Sequence, residues 1–534
     1  MKIKGNSILR ILFVLACLSS TFSFTRNVND WQVTSKWCGL LACTLLLLVY
    51  LAIRQCFKLN DDFRRNIIVF FSAVMISVNL LLSGVCILQY FGIIERGIVF
   101  PAISDFDNPA GVAAFLCMTF PFCVPTINRD NGGSPFVSSL FVADIFVLFL
   151  IGSRTGLIAM SLSMVIYIIY QWRSLGRNNL YAIMFVLALL IVSLLFLFNQ
   201  KTASNDGRRM ILDVCLTMFR DSPWLGWGRH GFASNYMIYQ AEYLSSVFDS
   251  DLLLLSDNVK HPLCEYVLLL VNYGLIGFGF VMAVILVFVR MLVRDDMYKP
   301  FVLMIAVSLA VLSGFSYPFR YPMTLLSICI VVFFVWNEEI KEFLNTCGRF
   351  VGVSAISAIL VLMLYWSVPW MRAQFAWGKV TSSLLSDRSS AKVLKNEIIP
   401  AIDRHLFDNP RYRYSRAVVN YYSGFLEEAL TDALASSECL SSYDTELLLG
   451  DICSALGRYQ ESEQHYLMAS RMCPSKIAPQ YCLFKLYELS GEEDAQRRIG
   501  NELLNKPVKI MNEKAKAMRL EVRMIMALPQ SADF

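Results

Sequence analysis

The sequence predicts an all-α protein in which a polytopic transmembrane helical domain is followed by a soluble α-helical repeat domain. Three observations carry this. Hydrophobic residues fill 56% of the 534 positions and charged residues only 17%, at a mean hydropathy of +0.52, which is more apolar surface than a water-facing fold can hide. The apolar residues are gathered in runs close to the about 17 to 25 residues a helix needs to cross a hydrocarbon core. After Trp370 the composition becomes that of a soluble chain, and a period of 33 to 34 residues sets in.

Taken in order, Lys2, Lys4 and Arg10 precede an apolar run ending near Phe24, the pattern of a signal peptide or of a first span. Val14-Leu15-Ala16-Cys17 loosely resembles a lipoprotein cleavage site, but many spans follow, and we read the segment as a retained anchor. About eleven candidate spans run roughly 8–24, 38–53, 67–92, 109–126, 136–152, 155–170, 180–198, 263–290, 301–316, 322–336 and 350–371. With the N-terminus in the cytoplasm, inside segments hold fifteen Lys and Arg residues and the short outside loops five: Arg26, Lys36, Arg96, Arg154 and Arg320. An odd number of spans then places the C-terminal domain outside, with the long loop from about 199 to 262. The expected domains are residues 1–372, polytopic with that periplasmic loop, and 373–534, a periplasmic helical-repeat domain in a bacterial inner-membrane protein.

In the tail, Gly424, Gly457 and Gly491 are 33 and 34 residues apart, each within a similar Gly-aromatic-Glu or Gly-Glu-Glu context, and Pro474 and Pro507 keep the same phase. This resembles the tetratricopeptide repeat, a helix-turn-helix unit whose stacking makes a concave surface, so a protein partner or extended acceptor is expected to dock there. A generic bundle of helical hairpins is the plainer alternative.

Composition also excludes. A net charge of +5 spread along the chain leaves no nucleic-acid footprint. The fifteen cysteines sit mostly in apolar runs without a paired spacing, so no disulfide framework and no metal site is expected. No Gly-rich phosphate loop is visible, which argues against a nucleotide-sugar donor and leaves no cofactor to expect.

Candidate chemistry clusters at the outer face. Ser153-Arg154-Thr155-Gly156 puts a guanidinium at a membrane interface, where it either anchors or holds an anion with its planar fork. In the long loop, Ile211, Val214, Cys215 and Met218 recur on one helix face, with Arg208 at its edge; Arg209, Asp213, Thr217 and Arg220 share the opposite face. Arg208 is therefore the arginine expected to point into a site. Trp224-Leu225-Gly226-Trp227-Gly228-Arg229-His230-Gly231-Phe232 suits turns and a sugar or interface contact, and Trp227, Arg229 and His230 join Ser153, Arg209 and Arg320 as binding candidates. His261, at the lip of the next span, is the candidate base, or merely a polar cap. Asp144 lies inside a span, as a relay or as an interhelical cap.

Together these pieces resemble the O-antigen ligase and polymerase superfamily over roughly residues 100 to 340. Phe106-Asp107-Asn108-Pro109-Ala110 resembles the family's Asn-Pro-Asn-type entry, with Ala110 replacing the last Asn, and Ser153-Arg154-Thr155-Gly156 matches its Ser-Arg-Thr motif. Arg208, fifteen residues before Pro223, matches the loop arginine. The departure is at the family's His-Asn segment: aligning Glu265-Tyr266 and Gly274-Leu275-Ile276-Gly277 puts Leu263 and Cys264 there, with His261 two residues earlier. The resemblance implies a metal-independent glycosyltransferase. Its donor is a glycan on a polyprenyl diphosphate, Arg154 and Arg208 hold the diphosphate, and His261 activates an acceptor hydroxyl. Lipid A core is favoured as acceptor, with another glycan (a polymerase) or a protein Ser/Thr (an O-oligosaccharyltransferase) as alternatives, and membrane lipids surround the whole. Outside that class, Asp144 and the span count suit a transporter or flippase, and the repeats alone suit a scaffold.

Overall fold

The structure, a computed structural model, describes residues 2–56, 64–95, 100, 102–126, 135–170, 181, 184–188, 190–192, 195, 202–246, 250–293, 299–332, 348–508 and 512–527. Nine of the nineteen residues of the candidate span 180–198 lie outside them, as do Lys58, Arg96, Arg129, Arg173, Arg177, Arg294 and Lys341. Every regular element among the described residues is helical. The chain divides into two compact units: Met1–Gln200, Leu263–Glu265 and Val281–Gly378 form the first, and Lys201–Pro262, Tyr266–Phe280 and Lys379–Phe534 the second. The loop segment Lys201–Pro262 is thereby grouped with the tail and with Tyr266–Phe280.

In the first unit, Val69–Tyr90 is long and apolar enough to cross a membrane; Glu265–Leu292, whose residues are divided between the units, is a second such helix. Shorter apolar helices accompany them, among them Pro109–Pro125, Phe136–Leu150, Arg154–Tyr170, Lys299–Phe315 and Pro322–Val332. The run at 109 is interrupted because Pro121 and Pro125 cannot donate to the helical ladder, and the α-helix Pro109–Thr119 tightens into a 3-10 segment, Phe120–Thr126. Inside the unit Asp144 is buried and accepts hydrogen bonds from Asn79 Nδ2 (3.1 Å) and Ser83 Oγ (3.2 Å), while Asn79 also donates to Thr119 Oγ1 (2.9 Å). Of the two roles open to Asp144, the structure displays the cap between helices. Ser163 and Ser308 make a second polar crossing, 2.7 Å apart.

In the second unit, three hairpins follow one another: Pro410–Ser423 with Leu426–Ser437, Tyr443–Ala455 with Tyr459–Met472, and Ala478–Ser490 with Glu493–Asn505. Gly424, Gly457 and Gly491 occupy the same place in each, just past the first helix, at φ +86°, +76° and +75°. That left-handed conformation favours glycine, and it lets the next amide close back onto the helix end: Phe425 N to Asn420 O (3.0 Å), Arg458 N to Cys453 O (2.9 Å) and Glu492 N to Tyr487 O (3.0 Å). The spacing of 33 and 34 residues is thus a spacing of equivalent turns. The first hairpin is locked by Arg416, which pairs with Asp403 (3.2 Å) and with Asp432, while Asn420 donates to the same Asp432 (2.8 Å).

Candidate functional site

The arginine turn of the first unit is built by its neighbours in sequence. The helix Pro135–Leu150 ends with Gly152 at φ +66°, its amide bonded to Phe149 O (2.9 Å) and that of Ser153 to Leu148 O (2.9 Å), the paired closure that a left-handed residue permits. Ser153 then starts the helix Arg154–Tyr170 by accepting from Gly156 N on its Oγ (3.2 Å). So Ser153 is buried as a cap, and Arg154 is the first residue of a helix whose free amides and dipole favour an anion. Gly156 sits against the helix Pro109–Thr119, where an added Cβ would lie 2.9 Å from Ala113 Cβ. Arg154 is half-buried, and no ion pair to a carboxylate joins it among the described residues.

Arg320 has a different setting. Its guanidinium meets Asp30 (3.0 Å) and Asp107 (3.2 Å), and its carbonyl accepts from Trp37 Nε1 (3.0 Å). Burial works against its charge, but Asp107 and Asp30 outweigh this and raise its pKa above the ordinary arginine value. Around it, Tyr321 donates to Asp107 (2.8 Å), Asn108 donates to Tyr317, and Lys36 donates to Asp105 O (3.1 Å) over the Phe106 ring. Asn108 also caps the helix Pro109–Thr119, accepting from Ala110 N (2.7 Å) and Gly111 N (3.3 Å). The Asp107-Asn108-Pro109 segment and Arg320 therefore form one clamp. Its partners Asp30, Tyr317 and Tyr321 were not legible in the sequence, since nothing local links residue 30 to residue 320.

In the second unit the loop helix Thr202–Asp221 buries Met210, Ile211, Val214, Cys215 and Met218 and exposes Leu212 and Leu216. Arg208 is half-buried on its edge and Arg209 is exposed, as the helical period requires. The Trp-Gly run beyond it packs on a broken helix. Within Glu265–Leu292, Gly274 leaves helical geometry (φ +61°, ψ −167°), and the amides and carbonyls this frees are taken by the loop. Trp227 N donates to Val271 O (3.0 Å), Gly228 N to Asn272 O (2.8 Å), Leu275 N to Pro223 O (2.8 Å) and Ile276 N to Trp224 O (3.2 Å). Both backbones must come close: a Cβ on Gly226 would lie 2.5 Å from the Asn272–Tyr273 peptide, and one on Gly274 2.3 Å from Trp224. Asn272 completes the junction, accepting from Phe232 N (2.9 Å) and donating to Arg229 O (3.3 Å).

That junction sorts the aromatic candidates. Trp227, 37% exposed, is tethered by its Nε1, which donates to Met218 O (2.8 Å), and it stacks edgewise on Tyr239. Tyr239 in turn donates to Asp221; burial first, then that bond and Asp221's charge, push its phenol up to about 12, so it stays a donor. Trp224 and Leu225 instead remain 64% and 73% exposed. Arg229 and His230 are exposed at the start of the helix Gly231–Ser245, which His230 does not cap with its side chain. His261 is half-buried in the irregular stretch before Glu265, where Leu263 takes a positive φ of 58° and Cys264 precedes the helix without a side-chain cap.

Residues 139–282 match the family model described as O-antigen ligase. That segment is similar to the O-antigen ligase domain, in line with the resemblance read from its motifs. The match begins in the helix of Asp144, runs through Arg154, Arg208, the Gly226–Gly274 junction and His261, and stops short of Arg320 and the tail. It covers less than the 100 to 340 over which the motifs suggest resemblance. No curated protein matches the chain. The likeness supports a ligase-type glycosyltransferase function in O-antigen processing, with a lipid-linked glycan donor and an acceptor, in an inner membrane.

Proposed function

We propose that this protein transfers a glycan from a polyprenyl diphosphate to an acceptor hydroxyl, lipid A core being the favoured acceptor, at the periplasmic face of the inner membrane. The observation that carries this is Arg154 within the segment similar to the O-antigen ligase domain. It stands at a helix N-terminus with no carboxylate joined to it among the described residues, which leaves its fork to an anionic ligand. Arg208, on the edge of the buried face of the loop helix, is assigned the same task. His261 takes the acceptor's proton as the acceptor oxygen bonds to the sugar's anomeric carbon. The bond from that carbon to the phosphate oxygen breaks, and the polyprenyl diphosphate leaves with its charge held by arginine. No metal is needed for this division of labour. The apolar helices support a polytopic domain of about eleven spans with the C-terminus outside, and the equivalent turns at Gly424, Gly457 and Gly491 support tetratricopeptide-like repeats able to dock a protein partner.

The test is transfer in vitro from a purified polyprenyl diphosphate glycan to lipid A core, to a glycan or to a Ser/Thr-rich protein, without nucleotide or metal. Product on one acceptor, lost in Arg154→Lys and Arg208→Ala, names the enzyme and its acceptor; longer lipid-linked glycan alone makes it a polymerase. Normal transfer by both variants overturns the assignment of the arginines.

A further inference from the structure

The helix Gly231–Ser245, the irregular stretch from Ser256 and the turn after Met472 meet at one buried amide. Gln240 is fully buried, 0% exposed. Its Nε2 donates to two carbonyls at once: Met472 O in the tail (2.7 Å) and Asp257 O in the loop (3.0 Å). Only this orientation of the amide serves both acceptors, because the flipped one would oppose oxygen to oxygen. The tail reaches the same stretch three more times. Ser475 Oγ donates to Ser256 O (2.9 Å), Lys476 pairs with Asp257 (3.1 Å), and Asn258 Nδ2 donates to Asp444 (3.0 Å). Ser441 N also donates to Ala233 O on the helix Gly231–Ser245 (2.9 Å).

The stretch being held has no regular secondary structure between Ser256 and Cys264 apart from a bend. Its carbonyls have no ladder to join, so their partners decide where the backbone runs. His261 lies four residues beyond Asp257.

We propose that the second hairpin of the tail, Tyr443–Met472 with its following turn, is the positioning element for His261, acting through Gln240. The tail is on this view a structural part of the loop as well as a docking surface. Gln240 is the principal positioning residue because its amide is fully buried, with the bond to Met472 buried and that to Asp257 partly so, whereas the Lys476 and Asp257 side chains are 36% and 61% exposed and their pair contributes less. The inference rests on the reading of His261 as proton acceptor, and its test separates the two.

Amide hydrogen exchange and transfer are measured together on the full-length protein. Gln240→Leu keeps bulk and removes both donors. Exchange at residues 256–261 is expected to rise about 10-fold or more while the hairpin Tyr443–Met472 stays protected. Transfer is expected to fall about 10- to 100-fold through kcat, with the donor KM little changed. Lys476→Asp should produce a smaller loss that Asp257→Lys restores in the double variant, a rescue that general destabilisation does not produce. Unchanged exchange in Gln240→Leu overturns the clamp whether or not the protein is active. Faster exchange with undiminished transfer overturns the positioning role. If the wild-type protein transfers nothing, the functional reading fails while the exchange result still decides the clamp.

Discussion

Arg154 and Arg320 both follow a turn between apolar helices, and in the sequence they read alike. The structure separates them. Arg320 is held by Asp30 and Asp107 and ties three parts of the first unit together, whereas Arg154 begins a helix with no carboxylate joined to it among the described residues. A guanidinium already paired twice has little left to offer a diphosphate; one at a helix N-terminus with no such carboxylate has both its fork and the helix dipole to offer. What an arginine is for depends less on its depth in the membrane than on whether the fold has already supplied its counter-charge.

The largest expected effect sharpens that comparison directly. Arg154→Lys, which keeps the charge and loses the fork, should lower transfer about 100- to 1000-fold, as loss of a charge-stabilising donor does. Arg320→Lys should stay within about 3-fold, since a lysine still serves one of its carboxylates. Initial rates with a lipid-linked donor decide it, and the reverse ranking would invert the assignment of the two turns.

The same contrast between a group pinned by its surroundings and one left open applies to the glycines of the loop. Gly274→Ala places a Cβ against the Trp224 backbone in a conformation essentially reserved for glycine, and should cost about 3 kcal/mol or more. Gly228, at φ +86° but facing open space, should cost only about 1 to 2 kcal/mol as alanine. Thermal unfolding and proteolytic nicking of the loop measure both. Next in size, Arg320→Ala should lower stability by about 1 to 2 kcal/mol, because the side chains of the ion pairs it breaks are between 17% and 35% exposed; a melting curve unchanged from wild type would show the clamp to be idle.

The smallest effect belongs to the tail. His465 accepts or donates at 2.8 Å from Glu446, and although burial opposes its charge, the bonds to Cys453 and Glu446 outweigh it and carry the imidazole up to about 9. A folded pKa above the ordinary value of about 6.5 stabilises the fold below about pH 6.5, and that contribution is lost as pH rises through about 9. The melting temperature should therefore fall between pH 7 and 10, and His465→Gln should flatten that fall.

Much of this was legible in local pattern. The phase of Gly424, Gly457 and Gly491 marks three equivalent left-handed turns, and the offsets of Ile211, Val214, Cys215 and Met218 mark the buried face of the loop helix, with Arg208 on its edge and Arg209 outside. The Gly226 and Gly274 motifs were both visible, but not that each exists to let the other's backbone approach. Ser153 reads as a ligand in sequence and folds as a helix cap, because a serine ahead of a helix is equally suited to either.

The sequence by itself determined helicity, turn chemistry and which face of each helix is apolar, because those follow from periods of a few residues and from the steric limits of glycine and proline. The tertiary structure decided the rest: that Asp30 and Asp107 neutralise Arg320, and that Gln240 fastens the stretch before His261 to a turn more than two hundred residues away. Such pairings depend on which surfaces pack, and a buried charge or amide takes whichever partner that packing brings within hydrogen-bond reach.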